Sequence, residues 1–172
     1  MNLPNKIFLT GMPGSGKSTL GKKLAPRLDI PFLDLDKVIV QAEGMTIPEI
    51  FSSKGEDHFR ALEKKYLHKI IEENDRFLLA TGGGAPCFFD NIDVMNSSGY
   101  VIFLNHSIEH IVSRVIRKKA KRPLVAKMDD AEIQQDIEAM YKKRLPFYKK
   151  AHLVLDPRSI DVDAAMDKLY IQ

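Results

Sequence analysis

The chain has only one cysteine among 172 residues, Cys87, so no disulfide forms within it, and a reducing cytoplasm is the expected compartment. Long apolar runs are also missing: nothing approaches the ~20 residues that cross a bilayer, and Met1–Lys6 is short and polar. Neither a membrane span nor a secretion leader is expected. Blocks of like charge are absent too, since 26 Lys and Arg are set against 23 Asp and Glu, a formal charge of +3. This mild bias suits small anionic ligands and gives no nucleic-acid tail. There is no internal repeat and no low-complexity tract. The length fits one domain, 1–172, with a core of its own, and a monomer is expected because no extra helix or apolar strip stands out.

The most specific feature present is Gly11-Met12-Pro13-Gly14-Ser15-Gly16-Lys17-Ser18-Thr19, directly after the apolar run Ile7-Phe8-Leu9. It fits G-x-x-x-x-G-K-S/T, the phosphate-binding loop. A polyphosphate needs many N–H donors close to its oxygens, and glycines remove the β-carbons that would hold the backbone away. Gly14, Ser15, Gly16, Lys17, Ser18 and Thr19 are therefore expected to bind a nucleotide's phosphates. Lys17 reaches the outer phosphates as a point charge, Ser18 offers a ligand to Mg²⁺, and a helix starting near Lys17 adds the positive end of its dipole.

Along the rest of the chain, short β-rich runs alternate with helical patterns: Ile7–Thr10, Phe32–Asp34, Phe77–Thr81, Tyr100–Leu104 and Leu153–Leu155. This alternation predicts a parallel sheet with helices on both faces, an α/β fold. Phe59, Leu62, Tyr66, Leu67, Ile70 and Ile71 mark one amphipathic helix, and Ile133, Ile137, Met140, Tyr141 and Leu145 mark another over about 130–148. Between them, 118–130 turns basic and contains a proline, which reads as a lid over the site or as a solvated connection.

A phosphate loop alone does not name an acceptor, but five further clusters narrow it. Asp34-Leu35-Asp36 lies at the carboxyl end of the second strand, where open α/β sheets bind ligands. An extended chain would turn both carboxylates to one face, about 6–7 Å apart. One would serve the metal shell and the other a substrate hydroxyl as base; alternatively, Asp36 caps a helix. Gly55-Glu56-Asp57-His58-Phe59-Arg60-Ala61-Leu62-Glu63 and Gly82-Gly83-Gly84 follow, the triple glycine suggesting close approach of a ligand or another chain segment, or a tight turn. Arg60 fits a bidentate carboxylate clamp or a surface charge. Arg122-Pro123-Leu124 sits in the basic loop and Arg144-Leu145-Pro146-Phe147-Tyr148 on the later helix. An arginine on a mobile segment suits transition-state charge; one on a rigid helix suits ground-state binding.

In this order the motifs resemble the shikimate kinase family over nearly the whole chain. The resemblance implies a P-loop nucleoside triphosphate hydrolase fold: a three-layer α/β/α sandwich on a five-stranded parallel sheet of order 2-3-1-4-5. It also implies ATP-dependent phosphorylation of the 3-hydroxyl of shikimate, on the route to chorismate and the aromatic amino acids. By position, Lys17, Asp36 and Arg122 would be catalytic. Ser18 and Asp34 would serve Mg²⁺. Asp36, Arg60, Gly82, Gly83, Gly84 and Arg144 would bind shikimate, with Glu63 orienting Arg60. Arg114 would stack on adenine, Arg122 would be the lid arginine, and Arg158 would be a further nucleotide contact. Shikimate is the implied partner; nucleic acid and membrane are not.

Other readings are another small-molecule kinase of this architecture, for gluconate or a nucleoside monophosphate, and a nucleotide-binding switch without transfer. The switch leaves Asp34, Asp36, Arg60, Gly82–Gly84 and Arg144 without a shared purpose. His106-Ser107-Ile108-Glu109-His110 also matches H-x-x-E-H, a zinc hydrolase spacing, but it opens a helix after the fourth strand with no third ligand in view.

Overall fold

The computed structural model describes residues 3–117, 128–156 and 160–170. Strands β1 (Lys6–Thr10), β2 (Phe32–Asp34), β3 (Phe77–Ala80), β4 (Tyr100–Leu104) and β5 (Leu153–Leu155) form a sheet of order β2-β3-β1-β4-β5, every pair parallel. This is the order implied by the family resemblance. Each strand alternates between two helical layers because successive side chains point to opposite faces. Phe8, Phe77, Leu79 and Val101 pack on one face against α2 (Leu35–Glu43), α3 (Ile47–Glu73) and α4 (Asn91–Ser98). Ile7, Leu9, Leu78, Ile102 and Leu104 pack on the other against α1 (Lys17–Arg27) and α7 (Val162–Tyr170). A third cluster joins Met12 and Phe103 to α5 (Ile108–Arg117) and α6 (Asp130–Tyr148). Among the described residues, no helix is long and apolar enough to cross a membrane.

Four of the five strands, or their cores, fall where the apolar runs put them; β3 stops at Ala80, one residue short of Thr81. The helix marked by Phe59–Ile71 begins earlier than its periodicity suggests, at Ile47. Thr46 and Glu49 close a capping box there, with Pro48 in the first turn. Gly55 interrupts the helix at φ 82, ψ 174, a backbone shape that other residues hold only under strain. The chain therefore enters a fresh helical turn at Glu56. That break masks the continuity of α3 in the sequence.

Candidate active site

The loop between β1 and α1 winds through left-handed backbone at Gly14 and Gly16, with φ 85 and 90. Gly16 is also the N-cap of α1, and neither a side-chain cap nor an acidic first turn competes for the helix's leading N–H groups. That end is therefore a donor site for anions. Lys17 is buried, and its Nζ donates to the carbonyls of Gly11 (2.8 Å) and Met12 (3.0 Å), holding the ammonium inside the loop.

The two aspartates meet at this loop, though not as an extended pair. The helix α2 starts at Leu35, and Asp34 itself is the N-cap, its Oδ1 accepting from the Lys37 N–H at 3.4 Å. The expected alternation of Asp34 and Asp36 along one strand is thus corrected: the strand ends at Asp34, because its side chain satisfies the first turn of a helix. The capping alternative raised for Asp36 falls to Asp34. The carboxylates still converge. Ser18 Oγ donates to Asp34 Oδ2 at 2.7 Å. Asp34, Asp36, Lys17 and Ser18 line one cavity of about 340 Å³ together with Thr81 and Gly83. Burial, then the charge of Asp34, raises the pKa of Asp36 against the opposing pull of Lys17 and Arg60. A serine hydroxyl and a carboxylate are hard oxygen donors in numbers too small for a protein cage, which fits Mg²⁺, an ion that retains waters and shares phosphate oxygens.

On the far side of this cavity the triple glycine and α3 form a second cluster. The Arg60 guanidinium donates from Nη1 to Glu63 Oε2 (2.7 Å), and from Nη2 (2.7 Å) and Nε (3.1 Å) to Glu56 Oε1. It lies 4.3 Å from the ring centre of Phe88 and 5.3 Å from that of Phe59. Each glycine makes room for a partner. A Cβ on Gly82 would stand 2.5 Å from Glu63 Oε1 and 3.0 Å from Asp36 Oδ1, and one on Gly83 would stand 2.7 Å from Pro13 Cδ. One on Gly84 would run into the Arg60 guanidinium. Asp36 Oδ1, Glu63 Oε1 and Arg144 Nη1 are buried without a hydrogen-bond partner among the described residues. Orphaned buried polar groups of both signs, gathered over glycine backbone, suit a small ligand carrying hydroxyls and a negative charge. Burial pushes Glu63 up to about 7, outweighing the Arg60 contact, while Asp36 adds to the rise and Arg144 opposes it. For Arg60, burial works against the charge, yet Glu63 and Glu56 raise its pKa overall.

Arg114 lies against the phosphate loop. Its Nη1 is 3.2 Å from where a Cβ on Gly16 would stand, and it lines both the 340 Å³ cavity and a neighbouring one of about 590 Å³ with Arg117, Thr19 and His106. The H-x-x-E-H match does not build a metal site: the rings of His106 and His110 stack 4.3 Å apart at 8°, and no cluster of three or more His, Cys, Asp or Glu suited to a metal occurs among the described residues. Burial, then His110 and Arg114, pull His106 down to about 4. Arg122, Arg158 and most of the expected lid, 118–127, lie outside the described residues.

Sequence reasoning missed the aromatic flank of Arg60 and the part played by Tyr148. The Tyr148 hydroxyl donates to the Gly83 carbonyl at 2.6 Å and its ring stacks on Phe103 at 5.0 Å, tying α6 and Arg144 to the glycine turn. Its place in Arg144-x-Pro146-x-Tyr148 was the available sign. Phe88 follows the short 3-10 turn Ala85–Cys87, and nothing in the local pattern marks it.

Three comparisons bear on this site. The family model described as Shikimate kinase matches residues 13–171. A shikimate kinase of Bacteroides fragilis is 45% identical over 149 residues, covering 87% of this chain and 83% of the relative. The crystal structure of shikimate kinase from Bacteroides thetaiotaomicron is 36% identical with a TM-score of 0.89, over 98% of this chain and 97% of that one. Shikimate kinase from Acinetobacter baumannii in complex with shikimate is 32% identical with a TM-score of 0.82, over 99% and 92%.

Proposed function

The chain belongs to the shikimate kinase family, and from that premise we propose that it transfers the γ-phosphoryl group of ATP to the 3-hydroxyl of shikimate. The observation that carries this reading is the junction of two sites across Gly83 and Asp36: a phosphate loop on one side, and on the other a carboxylate-ready arginine beside orphaned acceptor oxygens. The Acinetobacter baumannii relative, solved with shikimate, supports the same acceptor.

Positioning and charge neutralisation supply most of the rate in phosphoryl transfer. In our reading, Arg60 and Arg144 hold the acceptor's carboxylate, and Gly82–Gly84 let its ring settle against backbone. Asp36 accepts hydrogen bonds from the acceptor hydroxyls and takes the proton of the one that attacks; its raised pKa makes it a stronger base than a solvated aspartate. Lys17 and the N-terminus of α1 draw the γ-phosphate's negative charge away from the attacking oxygen. Ser18 and Asp34 would hold Mg²⁺, which would supply positive charge to offset that of the phosphates. Arg122 would add a further positive charge from the lid, and Arg114 and Arg158 would hold the nucleotide. The protein would act as a cytoplasmic monomer. Phe89, Val154 and Tyr170, the large apolar side chains exposed among the described residues, are spread over separate elements.

The test is ADP release measured across shikimate, gluconate and nucleoside monophosphates. Turnover that depends on shikimate alone is expected; equal turnover with gluconate or a nucleotide would overturn the assignment.

A further inference from the structure

We propose that Glu56 is a displaceable counter-ion: its carboxylate stands on the edge of Arg60 that an acceptor carboxylate takes, and so every acid that binds there must first expel it. The inference rests on Arg60 being the acceptor's carboxylate partner.

The two carboxylates on Arg60 are not equivalent. Glu63 is 1% exposed and lies on the protein side of the guanidinium, whereas Glu56 is 54% exposed. Glu56 also lines a cavity of about 490 Å³ with Phe88, Phe147 and Arg144, the second arginine of the proposed acceptor site. The Nε/Nη2 edge that Glu56 covers is therefore the one turned to open space. It is also the side-on fork that recognises a planar carboxylate with two parallel hydrogen bonds. Glu56 uses a single oxygen for both donors, Oε1, at 3.1 and 2.7 Å. A bidentate ligand improves on that geometry.

Glu56 is not needed to aim the guanidinium. Glu63 fixes Nη1, and the rings of Phe88 and Phe59 flank the group. Nor is Glu56 expensive to remove. It follows the Gly55 break, and its side chain returns to water with its full charge solvated. An anion with a carboxylate alone gains Arg60 only by expelling Glu56. An acceptor that also offers hydroxyls to Asp36 gains those bonds besides, but the cost of expelling Glu56 is common to both, so it weakens binding of the two acids alike.

The test compares Glu56→Gln, Asp57→Asn and Arg60→Lys, using the KM for shikimate and inhibition by 1-cyclohexenecarboxylate, a ring acid without hydroxyls. Glu56 is open to water although Arg60 is buried, so the pair is weak, and Glu56→Gln is expected to lower KM about two- to fivefold and to strengthen inhibition by a similar factor, the effect falling on KM rather than kcat. Asp57→Asn removes an equal charge one residue away and is expected to leave both constants unchanged. Arg60→Lys is expected to raise KM at least tenfold. If Glu56→Gln leaves KM unchanged or raises it while Arg60→Lys raises it, the counter-ion role is wrong and the acceptor site stands. An equal fall in Asp57→Asn reduces the effect to net charge and overturns the proposal. If Arg60→Lys leaves KM unchanged, the placement of the acceptor carboxylate fails, and the role of Glu56 with it.

Discussion

Gly84→Ala isolates the link between the glycine turn and the acceptor site, because it adds one carbon without straining the backbone. Gly84 has φ −87 and ψ −26, a conformation that alanine adopts freely. The added Cβ would lie 2.7 Å from Arg60 Cζ, 2.8 Å from Nη2, and closer still to Nη1, where ordinary contact begins at 3.4 Å. The guanidinium must therefore retreat by about 1 Å, and it is boxed in by Phe88 at 4.3 Å and Glu63 at 2.7 Å. A shift of that size breaks the Glu63 bond. Overpacking of this kind costs about 1–3 kcal/mol, which for a chain of this length lowers Tm by roughly 3–10 °C. The catalytic effect should be larger, since misplacing a positioning group by about 1 Å costs on the order of 100-fold in kcat/KM. Steady-state kinetics with each substrate varied in turn should show the loss in shikimate KM and kcat, with the KM for ATP little changed. Gly44→Ala is the control: no atom lies within 4 Å of its Cβ position, but its φ of 65 penalises alanine, so stability falls by about 1 kcal/mol without a change in shikimate KM. If Gly84→Ala behaved like Gly44→Ala, the turn would not be positioning Arg60 for catalysis.

The pH dependence of stability follows from Glu63. The folded chain holds its proton up to about pH 7, whereas an unfolded glutamate releases it near 4.5, so the folded state binds more protons between those values. The stabilisation is full below about pH 4.5 and lost as pH rises through about 7, on the order of 3 kcal/mol. Urea melts at stepped pH should show that decline, and Glu63→Gln should flatten it; Asp36, also raised, leaves a residual slope of the same sign. An unchanged slope in Glu63→Gln would show that Glu63 is ionised in the fold. Lys17→Met should lower kcat by about 100- to 1000-fold while equilibrium binding of shikimate moves less than about twofold. Turnover within about fivefold of the parent would remove Lys17 from the transfer step.

The layered α/β architecture and the phosphate half of the site could be read from the residues alone. Alternating apolar runs mark buried parallel strands, because a strand covered on both faces must be apolar where it is covered, as β3 is throughout and β1 is over Ile7–Leu9. Gly11–Thr19 could be read directly, because a phosphate loop is contiguous and its chemistry depends on backbone. Asp34 and Asp36 were legible as residues but not as geometry. Whether a chain stays extended after Asp34 depends on whether that carboxylate caps a helix, which local alternation does not settle. The acceptor residues Arg60, Gly82–Gly84 and Arg144 were named by resemblance, but only the tertiary structure decided how they pack, since they come from α3, the turn after β3 and α6. It showed that the three glycines make room for Glu63, Pro13 and Arg60 in turn, and that Tyr148 ties Arg144's helix to Gly83. It also showed that Arg60 is held between a buried carboxylate and an exposed one. Those relations join residues far apart in the chain through side-chain packing, and no local pattern encodes a contact between elements that the sheet order alone brings together.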